Sequence, residues 1–351
     1  MRKGKSVSIV VVGGGAIGLL VAGQLVAAGQ VVGLLARAST REALAAMPLT
    51  IVRATGTTTV SNLPVAAAPT ELPAALQRPE LAILCVKGYD TAAAFDGLAA
   101  LAPRLILTLQ NGIGNEQQLI ARFGAAQVAS GAITTSVDLA SPTRIVVTKV
   151  GGIGLAPTGP GADLSPWAAA LAEAGFVVKQ YPDYQAMKWS KALLNMLGNA
   201  TAAILDLSVA EVYADRRLVA LERRAYHEAL AVMDRQGWRP INLPRYPAAL
   251  LSRAMRLLPP YLLDPLLRSR VAGGRGGKEP SLLRDLRAGR GRSEGEFIYG
   301  AIAAQAAALG MAAPVNAGLW RVLGGITRGE LRWDDYRGQS ARLLAEVEAQ
   351  H

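Results

Sequence analysis

Residues 7 to 36 contain no charged side chain, and this run constrains the start of the fold more than any other feature of the chain. It is long enough to cross a bilayer, which takes about 20 apolar residues. Its character nevertheless changes along its length: SIVVV is β-branched, GGGAIG is glycine-rich, LLVAGQLVAAG has a helical composition, and QVVGLLA is again typical of a strand. Because buried parallel strands read as continuous apolar runs, the pattern predicts a βαβ unit rather than a membrane span.

The glycines of this run have the spacing of a dinucleotide-binding turn. They occur as Gly13-x-Gly15-x-x-Gly18, directly after the first strand and at the start of the helix. In such a turn the first glycine permits the tight bend, the second lets a pyrophosphate approach the backbone, and the third allows close packing of helix on strand. A glycine-rich turn without a ligand is the alternative. We expect the cofactor to be bound by Gly13, Gly15, Ala16, Ile17 and Gly18.

The residue after the second strand indicates which dinucleotide is bound. NAD-binding folds carry an acid there, about 20 residues after the glycines, which bonds the ribose 2′-hydroxyl. This chain has Arg37 instead, followed by Arg41. A guanidinium forms charge-assisted bonds to the 2′-phosphate of NADP, so we expect the cofactor to be NADPH. A solvent-facing arginine is the alternative.

The composition limits the classes of molecule that the protein is expected to bind. Lys and Arg number 37 against 26 Asp and Glu, a net charge of +11, but aromatic residues make up only 5% and no basic stripe is interleaved with them. We therefore expect a solvated basic surface and a small-molecule substrate, with neither nucleic acid nor a membrane as partner. The single cysteine, Cys85, lies in the apolar run LAILCVK, which favours a buried inert thiol and a reducing, cytoplasmic compartment.

The pattern of predicted secondary structure changes near the middle of the chain. Strand and helix patterns alternate up to Tyr181, whereas long helical patterns dominate after Pro182. We therefore predict an α/β fold with an amino-terminal Rossmann dinucleotide-binding domain over residues 1–181, followed by an all-helical carboxyl-terminal domain over residues 182–351. Residues 243–278 mix prolines, leucines and arginines. A lid, an oligomer contact and a membrane-surface helix are all compatible with them, but we favour a packed irregular excursion.

The second domain opens with an unusual polar stripe. WSKALLNMLGNATAAIL is predicted as one helix, and within it Lys191, Asn195 and Asn199 recur every four residues and so share a face. The apolar neighbours indicate that this helix is largely buried, where a lysine and two amides are costly without partners. The stripe therefore suggests a site. The alternative is the solvated face of an amphipathic helix.

Three further motifs place polar residues at the ends of secondary structure. In LQNGIGN, Asn111 follows an apolar strand and precedes the helical pattern NEQQLIARFG, so we predict a strand-to-helix turn rather than a hairpin. Lys87 ends LAILCVK in the same way, at the carboxyl edge where open parallel sheets bind ligands. In SEGEFIYG, Ser293 and Glu296 predict a capping box, which leaves Glu294 unexplained.

Together these motifs resemble the ketopantoate reductase (2-dehydropantoate 2-reductase) family over essentially the whole chain. The resemblance rests on GGGAIG, Arg37, VKGYDT, LQNGIGN, the KxxxNxxxN pattern, PSLLRDL, SEGEFIYGAI and GMAAPVNAGLW. It implies a Rossmann domain followed by a helical domain. It also implies NADPH-dependent reduction of a 2-keto acid to a 2-hydroxy acid, with ketopantoate, in pantothenate biosynthesis, as the expected substrate.

The resemblance also assigns roles to individual residues. The catalytic lysine of the family falls on Lys191, and its active-site glutamate on Glu294. The residues on which its substrate contacts fall are Asn111, Asn195, Asn199 and Ser281, and those on which further cofactor contacts fall are Lys87 and Asn111. Two departures leave the substrate open: Val209 stands where some members have a substrate-contacting asparagine, and residues 243–278 are longer and more basic than in compact members.

Hydride transfer to a ketone develops negative charge on the carbonyl oxygen, which the ammonium of Lys191 would stabilise and protonate. The only histidines are His227 and His351, and no metal-ligand spacing is visible, so neither a histidine acid nor a metal is expected. A reductase for another keto or imino acid is one alternative, and a non-catalytic sensor of NADP(H) is another. A homodimer is left open.

Overall fold

A computed structural model describes residues 7–272 and 279–349 of the chain, with backbone only at Ala272. Residues 273–278 of the proline- and leucine-rich segment, His351 and the outermost residues of the two predicted domains lie outside this description. The chain divides into two compact units. The first comprises Met1–Asn111, Asn115–Lys188 and Leu243–Tyr246, and the second comprises Gly112–Gly114, Trp189–Asn242 and Pro247–His351. Residues 182–188, which the sequence analysis assigns to the second domain, belong to the first unit.

The first unit alternates strands and helices. Its strands are Ser8–Val12 (β1), Val31–Leu35 (β2), Leu49–Arg53 (β3), Gly56–Val60 (β4), Val65–Ala66 (β5), Leu81–Leu84 (β6), Leu105–Thr108 (β7), Val128–Ile133 (β8), Ser136–Ser141 (β9), Arg144–Lys149 (β10), Ile153–Pro157 (β11) and Val178–Gln180 (β12). Its helices are Ala16–Ala27 (α1), Ala38–Ala46 (α2), Phe95–Leu101 (α3), Asn115–Phe123 (α4), Ser165–Glu173 (α5) and the first part of Tyr184–Met196 (α6).

An eight-stranded sheet organises this unit. Its strand order is β12-β11-β8-β7-β6-β1-β2-β5, and the six strands from β8 to β5 are parallel. The order of the parallel strands reverses at β1, whose neighbours are β2 on one side and β6 on the other. Such a reversal opens a crevice at the carboxyl ends of the strands. The predicted Rossmann fold is confirmed.

Both faces of the large sheet are covered, which explains the uninterrupted apolar runs of its strands. Alternate residues of β1 enter different cores: Ile9 and Val11 pack with α1, whereas Val10 and Val12 pack with α3 and α4. The first core also takes in a small four-stranded sheet of order β4-β3-β10-β9, in which β3 and β4 form an antiparallel hairpin.

The second unit is built from helices and turns over the residues that the structure describes. Besides the end of α6, its helices are Ala200–Leu205 (α7), Val209–Ala214 (α8), Arg216–Arg235 (α9), Ala248–Leu257 (α10), Pro260–Leu267 (α11), Ser281–Arg287 (α12), Tyr299–Ala308 (α13), Pro314–Arg328 (α14) and Ser340–Glu348 (α15). One hydrophobic core joins these helices. Glu228 of α9 accepts the backbone N–H groups of Val315 and Asn316, both at 2.9 Å, and so caps α14.

Over its described residues, 243–272, the proline- and leucine-rich segment is largely helical, so the predicted irregular excursion is wrong there. After an isolated bridge between Leu243 and Tyr246 come α10, α11 and a π-helical turn over Arg268–Ala272. Met255, Leu263 and Leu267 are buried in the helical core, because these two helices are amphipathic. None of the helices in the described residues is both long and apolar enough for a membrane crossing.

Candidate active site

The glycine turn leaves no room for side chains at two of its three glycines. Gly13 has φ +114°, and a Cβ atom there would approach the backbone of Cys85 and Val86 to 2.9 Å. A Cβ atom on Gly18 would overlap the carbonyl oxygen of Gly13. The first turn of α1 therefore packs directly on the end of β1, because neither position carries a side chain.

Gly15 is different, because a Cβ atom there would have no protein atom within 4 Å. It precedes α1, makes no side-chain cap, and leaves the first N–H groups of the helix without intrahelical partners. An open glycine backed by free N–H groups and the positive end of a helix dipole fits a pyrophosphate. The turn can therefore hold a dinucleotide, and Ala16 and Ile17 occupy the first positions of this helix.

Arg37 lies immediately after β2 with an exposed side chain. Its Nη2 atom is 3.2 Å from Oδ2 of Asp90, which occupies the turn after β6. Arg41, one turn further along α2, pairs with Glu71 at 2.7 Å. Hydrogen bonds from the Ala67 N–H group and from Arg41 lower the pKa of the Glu71 carboxyl. Arg37 is thus the more exposed of the two guanidinium groups, with 84% of its side chain accessible against 40% for Arg41.

A buried polar network ties together the ends of β6 and β7. The side-chain amide of Gln110 donates to the Lys87 carbonyl at 3.3 Å and to the Thr91 hydroxyl at 2.8 Å. The Thr108 hydroxyl donates to the Gln110 side-chain oxygen at 2.9 Å. The backbone next to Lys87, itself half-buried, is therefore linked to the backbone that leads into Asn111. Sequence reasoning missed Gln110, although a glutamine inside an apolar run is a signal for such a network.

Asn111 lies in a strand-to-helix turn, as the sequence predicts, since β7 ends at Thr108 and α4 begins at Asn115. Its carbonyl accepts a hydrogen bond of 2.8 Å from the Asn115 side chain. The carbonyl of Gln110, one residue earlier, accepts a bond of 2.6 Å from the ammonium of Lys188. Lys188 also pairs with Glu116 at 3.1 Å, and both side chains are almost completely buried.

In the second unit, the predicted single helix across WSKALLNMLGNATAAIL is wrong. Helix α6 ends at Met196, a turn follows with Gly198 at φ +62°, and α7 begins at Ala200. Asn199 is therefore the residue before α7 rather than part of the same helix as Lys191. Its side chain nevertheless donates to the Asn195 carbonyl at 3.0 Å, which keeps the two asparagines adjacent.

Two buried side chains hold this break. The Glu222 carboxylate accepts the Gly198 N–H at 2.6 Å and the hydroxyl of Thr201. The Tyr299 hydroxyl accepts the Ala200 N–H at 3.0 Å and donates to the Met196 carbonyl. Both residues were missed by sequence reasoning, because nothing in the sequence of α9 or α13 shows that their side chains satisfy a distant backbone.

The break brings together three of the predicted site residues. Asn199 is buried, its side-chain amide lies 3.4 Å from the hydroxyl of Ser281, and its side-chain oxygen accepts the Leu282 N–H at 3.3 Å. The three residues are Asn195, Asn199 and Ser281. Lys191 precedes Asn195 by one turn of α6 and is only 8% exposed, so the polar stripe is not the solvated face of a helix.

Glu294 lies in a separate segment of the same unit. It begins a 3₁₀ turn over Glu294–Phe297 and is only 6% exposed. Ser293 caps this turn by accepting the Gly295 N–H at 3.1 Å. Glu296 is exposed and its N–H donates to the Ser293 carbonyl rather than to the Ser293 hydroxyl, so the predicted capping box is wrong. Val209 begins α8 and lies next to the Gly198 turn.

Other reactive groups do not contribute to these clusters. Desolvation raises the pKa of the Cys85 thiol to about 12, so it remains protonated at neutral pH, as expected for an inert thiol. Burial, aided by the Arg223 and Arg256 guanidinium groups, lowers the pKa of His227. Within the described ranges, no three His, Cys, Asp or Glu residues are arranged to hold a metal ion.

The glycine turn generates a test in which folding and binding respond differently. Gly15→Ala adds a methyl group where the protein leaves open space, so we expect an unchanged unfolding midpoint but at least tenfold weaker binding of a reduced nicotinamide dinucleotide, measured by its fluorescence. Gly18→Ala is the contrast, since its Cβ overlaps a backbone carbonyl, and we expect a lower unfolding midpoint. Wild-type affinity in Gly15→Ala would contradict a pyrophosphate at this turn.

Comparison with known proteins identifies the family. Residues 9–160 match the model of ketopantoate reductase PanE/ApbA, and residues 183–327 match the model of its C-terminal part. A 2-dehydropantoate 2-reductase of Halobacterium salinarum is 30% identical over 318 residues, which cover 88% of this chain and 94% of that protein.

Solved structures agree with this relationship. The crystal structure of a PanE/ApbA family ketopantoate reductase from Ralstonia eutropha has a TM-score of 0.77 at 26% identity, covering 92% of this chain and 99% of that one. D-mandelate dehydrogenase with NADH and anilino(oxo)acetate has a TM-score of 0.76, covers the same shares, and at 19% identity shares the fold. The resemblance drawn from the motifs is confirmed, and the chain belongs to the ketopantoate reductase family of oxidoreductases.

Proposed function

We propose that this protein reduces a 2-keto acid to the 2-hydroxy acid with NADPH, and that its substrate is ketopantoate. The observation that carries the proposal is the burial of Lys191 in a chain of this family. Lys191 lies one helical turn before Asn195, which with Asn199 and Ser281 forms the asparagine–serine cluster. Burial of an ammonium costs free energy unless its charge is compensated, so a buried lysine is a candidate for a functional site. The names of the relatives, 2-dehydropantoate 2-reductases, support ketopantoate as the substrate.

The cofactor assignment rests on the glycine turn and on Arg37. Gly13, Gly15 and Gly18 would receive the pyrophosphate with the N–H groups of Ala16 and Ile17, and NADPH, when bound, supplies the hydride. Arg37 would bind the 2′-phosphate, because its guanidinium has five N–H donors and one interaction with Asp90 leaves others available. Lys87 and Asn111 would contribute from the next two strand ends.

The chemistry of the residues in the second unit suits a carbonyl substrate. The Lys191 ammonium would donate a hydrogen bond to the ketone oxygen, stabilise the charge that develops there, and deliver the proton that completes the hydroxyl group. The side chains of Asn195, Asn199 and Ser281 would orient the substrate through its carboxylate and hydroxyl groups. Glu294, a buried carboxylate, would hold the ammonium or the nascent hydroxyl.

Two alternatives come from other readings of the same residues. Val209 in place of a family asparagine leaves room for a different keto or imino acid. A sensor of NADP(H) without turnover would have no use for a proton donor, whereas Lys191 and Glu294 are both buried in the unit that contains Asn195, Asn199 and Ser281. A cytoplasmic location is a prediction from the sequence, which leaves a homodimer open.

Oxidation of NADPH with a panel of keto acids tests the proposed function. The panel contains ketopantoate, a branched aliphatic 2-keto acid and phenylglyoxylate, and turnover is measured by the loss of NADPH absorbance. We expect ketopantoate to give the highest kcat/KM of the three. A higher kcat/KM for phenylglyoxylate would move the assignment to an aryl substrate. Tight NADPH binding without turnover of any of them would favour the sensor.

Lys191→Met tests the proton donor, because it keeps the length of the side chain and removes its charge. We expect kcat to fall at least a hundredfold, the range that general acid and electrostatic catalysis supply, while the Kd of NADPH changes less than threefold. Lys179→Met, at an exposed lysine of β12, is the matched control and should keep full activity. A near-normal kcat in Lys191→Met would remove the catalytic assignment.

Arg37→Ala tests the choice of cofactor. The loss of a charge-assisted bond should lower the ratio of kcat/KM with NADPH to kcat/KM with NADH at least tenfold, mainly through the KM of NADPH. Arg41→Ala is measured beside it, because Arg41 lies one turn away and is paired with Glu71. An unchanged ratio in Arg37→Ala together with a lowered ratio in Arg41→Ala would transfer the role to Arg41.

A further inference from the structure

Lys188 and Glu116 form an ion pair in the interior of the first unit. The Lys188 Nζ and Glu116 Oε1 atoms are 3.1 Å apart, and the two side chains are 2% and 1% exposed. The Ser130 hydroxyl of β8 donates to the same Glu116 oxygen at 2.8 Å. Neither the glycine turn nor the asparagine–serine cluster includes these residues. Since desolvation offsets most of the attraction in a buried pair, stability alone is weak grounds for keeping it.

The shortest polar contact of Lys188 is to the backbone. Its ammonium donates to the Gln110 carbonyl at 2.6 Å, at the point where the chain has left β7 and is about to enter the Asn111 turn. The strand ends at Thr108, and Gly112, two residues after Gln110, has φ +91°, so the backbone here is outside regular secondary structure. The ammonium gives the Gln110 carbonyl a charge-assisted hydrogen bond at this point.

Glu116 keeps the ammonium in place. It belongs to the first turn of α4, where the helix dipole favours a carboxylate, and Ser130 satisfies one of its oxygens. Burial raises the pKa of Tyr184, and the nearby Glu116 and Asp183 carboxylates raise it further. Because Lys188 contacts both Glu116 and Gln110, the carboxylate fixes the ammonium and the ammonium fixes the carbonyl.

The same short stretch is held on its other side as well. The Asn115 side chain donates to the Asn111 carbonyl at 2.8 Å, and the Gln110 side chain is bound by Thr108 and Thr91. Of these contacts, the bond from Lys188 is the one made by a charged donor. The carbonyl of the residue before Asn111 is therefore bonded to Lys188, whose charge is paired with that of Glu116.

We propose that Lys188 and Glu116 are positioning residues for the reaction, which set the place of Asn111 and through it the affinity for the nicotinamide cofactor without touching the ligand. The inference rests on the proposed function in one respect, namely that Asn111 contacts the cofactor. The competing explanation is that the pair only fastens α6 to α4 and the sheet.

A double substitution separates the two explanations. Removing one partner of a buried pair leaves an uncompensated charge, whereas replacing both by neutral residues of similar size is often tolerated. In Lys188→Met/Glu116→Gln, Ser130 keeps a partner but the Gln110 carbonyl loses its donor. We expect an unfolding midpoint close to that of the wild type, a Kd of NADPH at least tenfold higher, and a kcat at saturation within fivefold of the wild type.

The matched control is Lys179→Met/Glu173→Gln, which makes the same chemical changes at two exposed residues of the same unit. It should keep wild-type affinity and stability. Wild-type affinity in the folded Lys188→Met/Glu116→Gln protein would overturn the inference. If that protein does not fold, Ser130→Ala decides, because it keeps both charges of the pair and removes the hydrogen bond that holds Glu116: at least threefold weaker binding supports the inference, and an unchanged Kd overturns it.

Asn111→Ala is measured in parallel to keep this inference apart from the proposed function. Weaker NADPH binding in Asn111→Ala together with wild-type binding in the folded double variant overturns the positioning role only. Wild-type NADPH binding in Asn111→Ala overturns the claim that Lys188 and Glu116 affect cofactor affinity by positioning Asn111. A wild-type protein that binds no NADPH refutes the proposed function itself.

Discussion

The close packing of Gly18 against the Gly13 carbonyl is the constraint on which the first unit depends. Since no side chain fits between them, the first turn of α1 lies directly on the end of β1, and its free N–H groups are exposed at the carboxyl edge of the sheet. Parallel neighbours bring the ends of β2, β6 and β7 to the same edge. Arg37 and Lys87 lie at this edge as well, because each comes shortly after the end of one of these strands.

Much of this unit could be predicted from the sequence because each signal is local. Strands buried on both faces must be apolar throughout, and a glycine turn has a fixed spacing, so the βαβ unit and the Asn111 turn were both predicted correctly. Lys188 was missed because a lysine in a helical pattern reads as exposed. Only the fold reveals that Glu116 and the Gln110 carbonyl meet its ammonium in the interior.

The second unit was predicted less well, because tertiary contacts override its local pattern. The residues from Lys191 to Leu205 have the periodicity of one helix, yet Glu222 and Tyr299 satisfy the backbone groups of a break at Gly198. The spacing of the asparagines still indicated their proximity, because the Asn199 side chain returns to the Asn195 carbonyl as it would within a helix. The helices α10 and α11 were missed because prolines flank α10 and Pro265 lies inside α11, which suggests irregular structure. Pro260, by contrast, occupies a first-turn position that helices tolerate.

The two units use buried charge for the same physical purpose. Asn111 and Asn199 both lie where the chain leaves regular secondary structure, and such positions have backbone groups without partners. The Lys188 ammonium satisfies the carbonyl beside the first asparagine, and the Glu222 carboxylate satisfies the N–H beside the second. A neutral side chain would bond these groups more weakly, since charge-assisted hydrogen bonds are roughly twice as strong as neutral ones. The buried charges thus allow asparagines to be presented from irregular backbone with the rigidity that a helix or strand would otherwise provide.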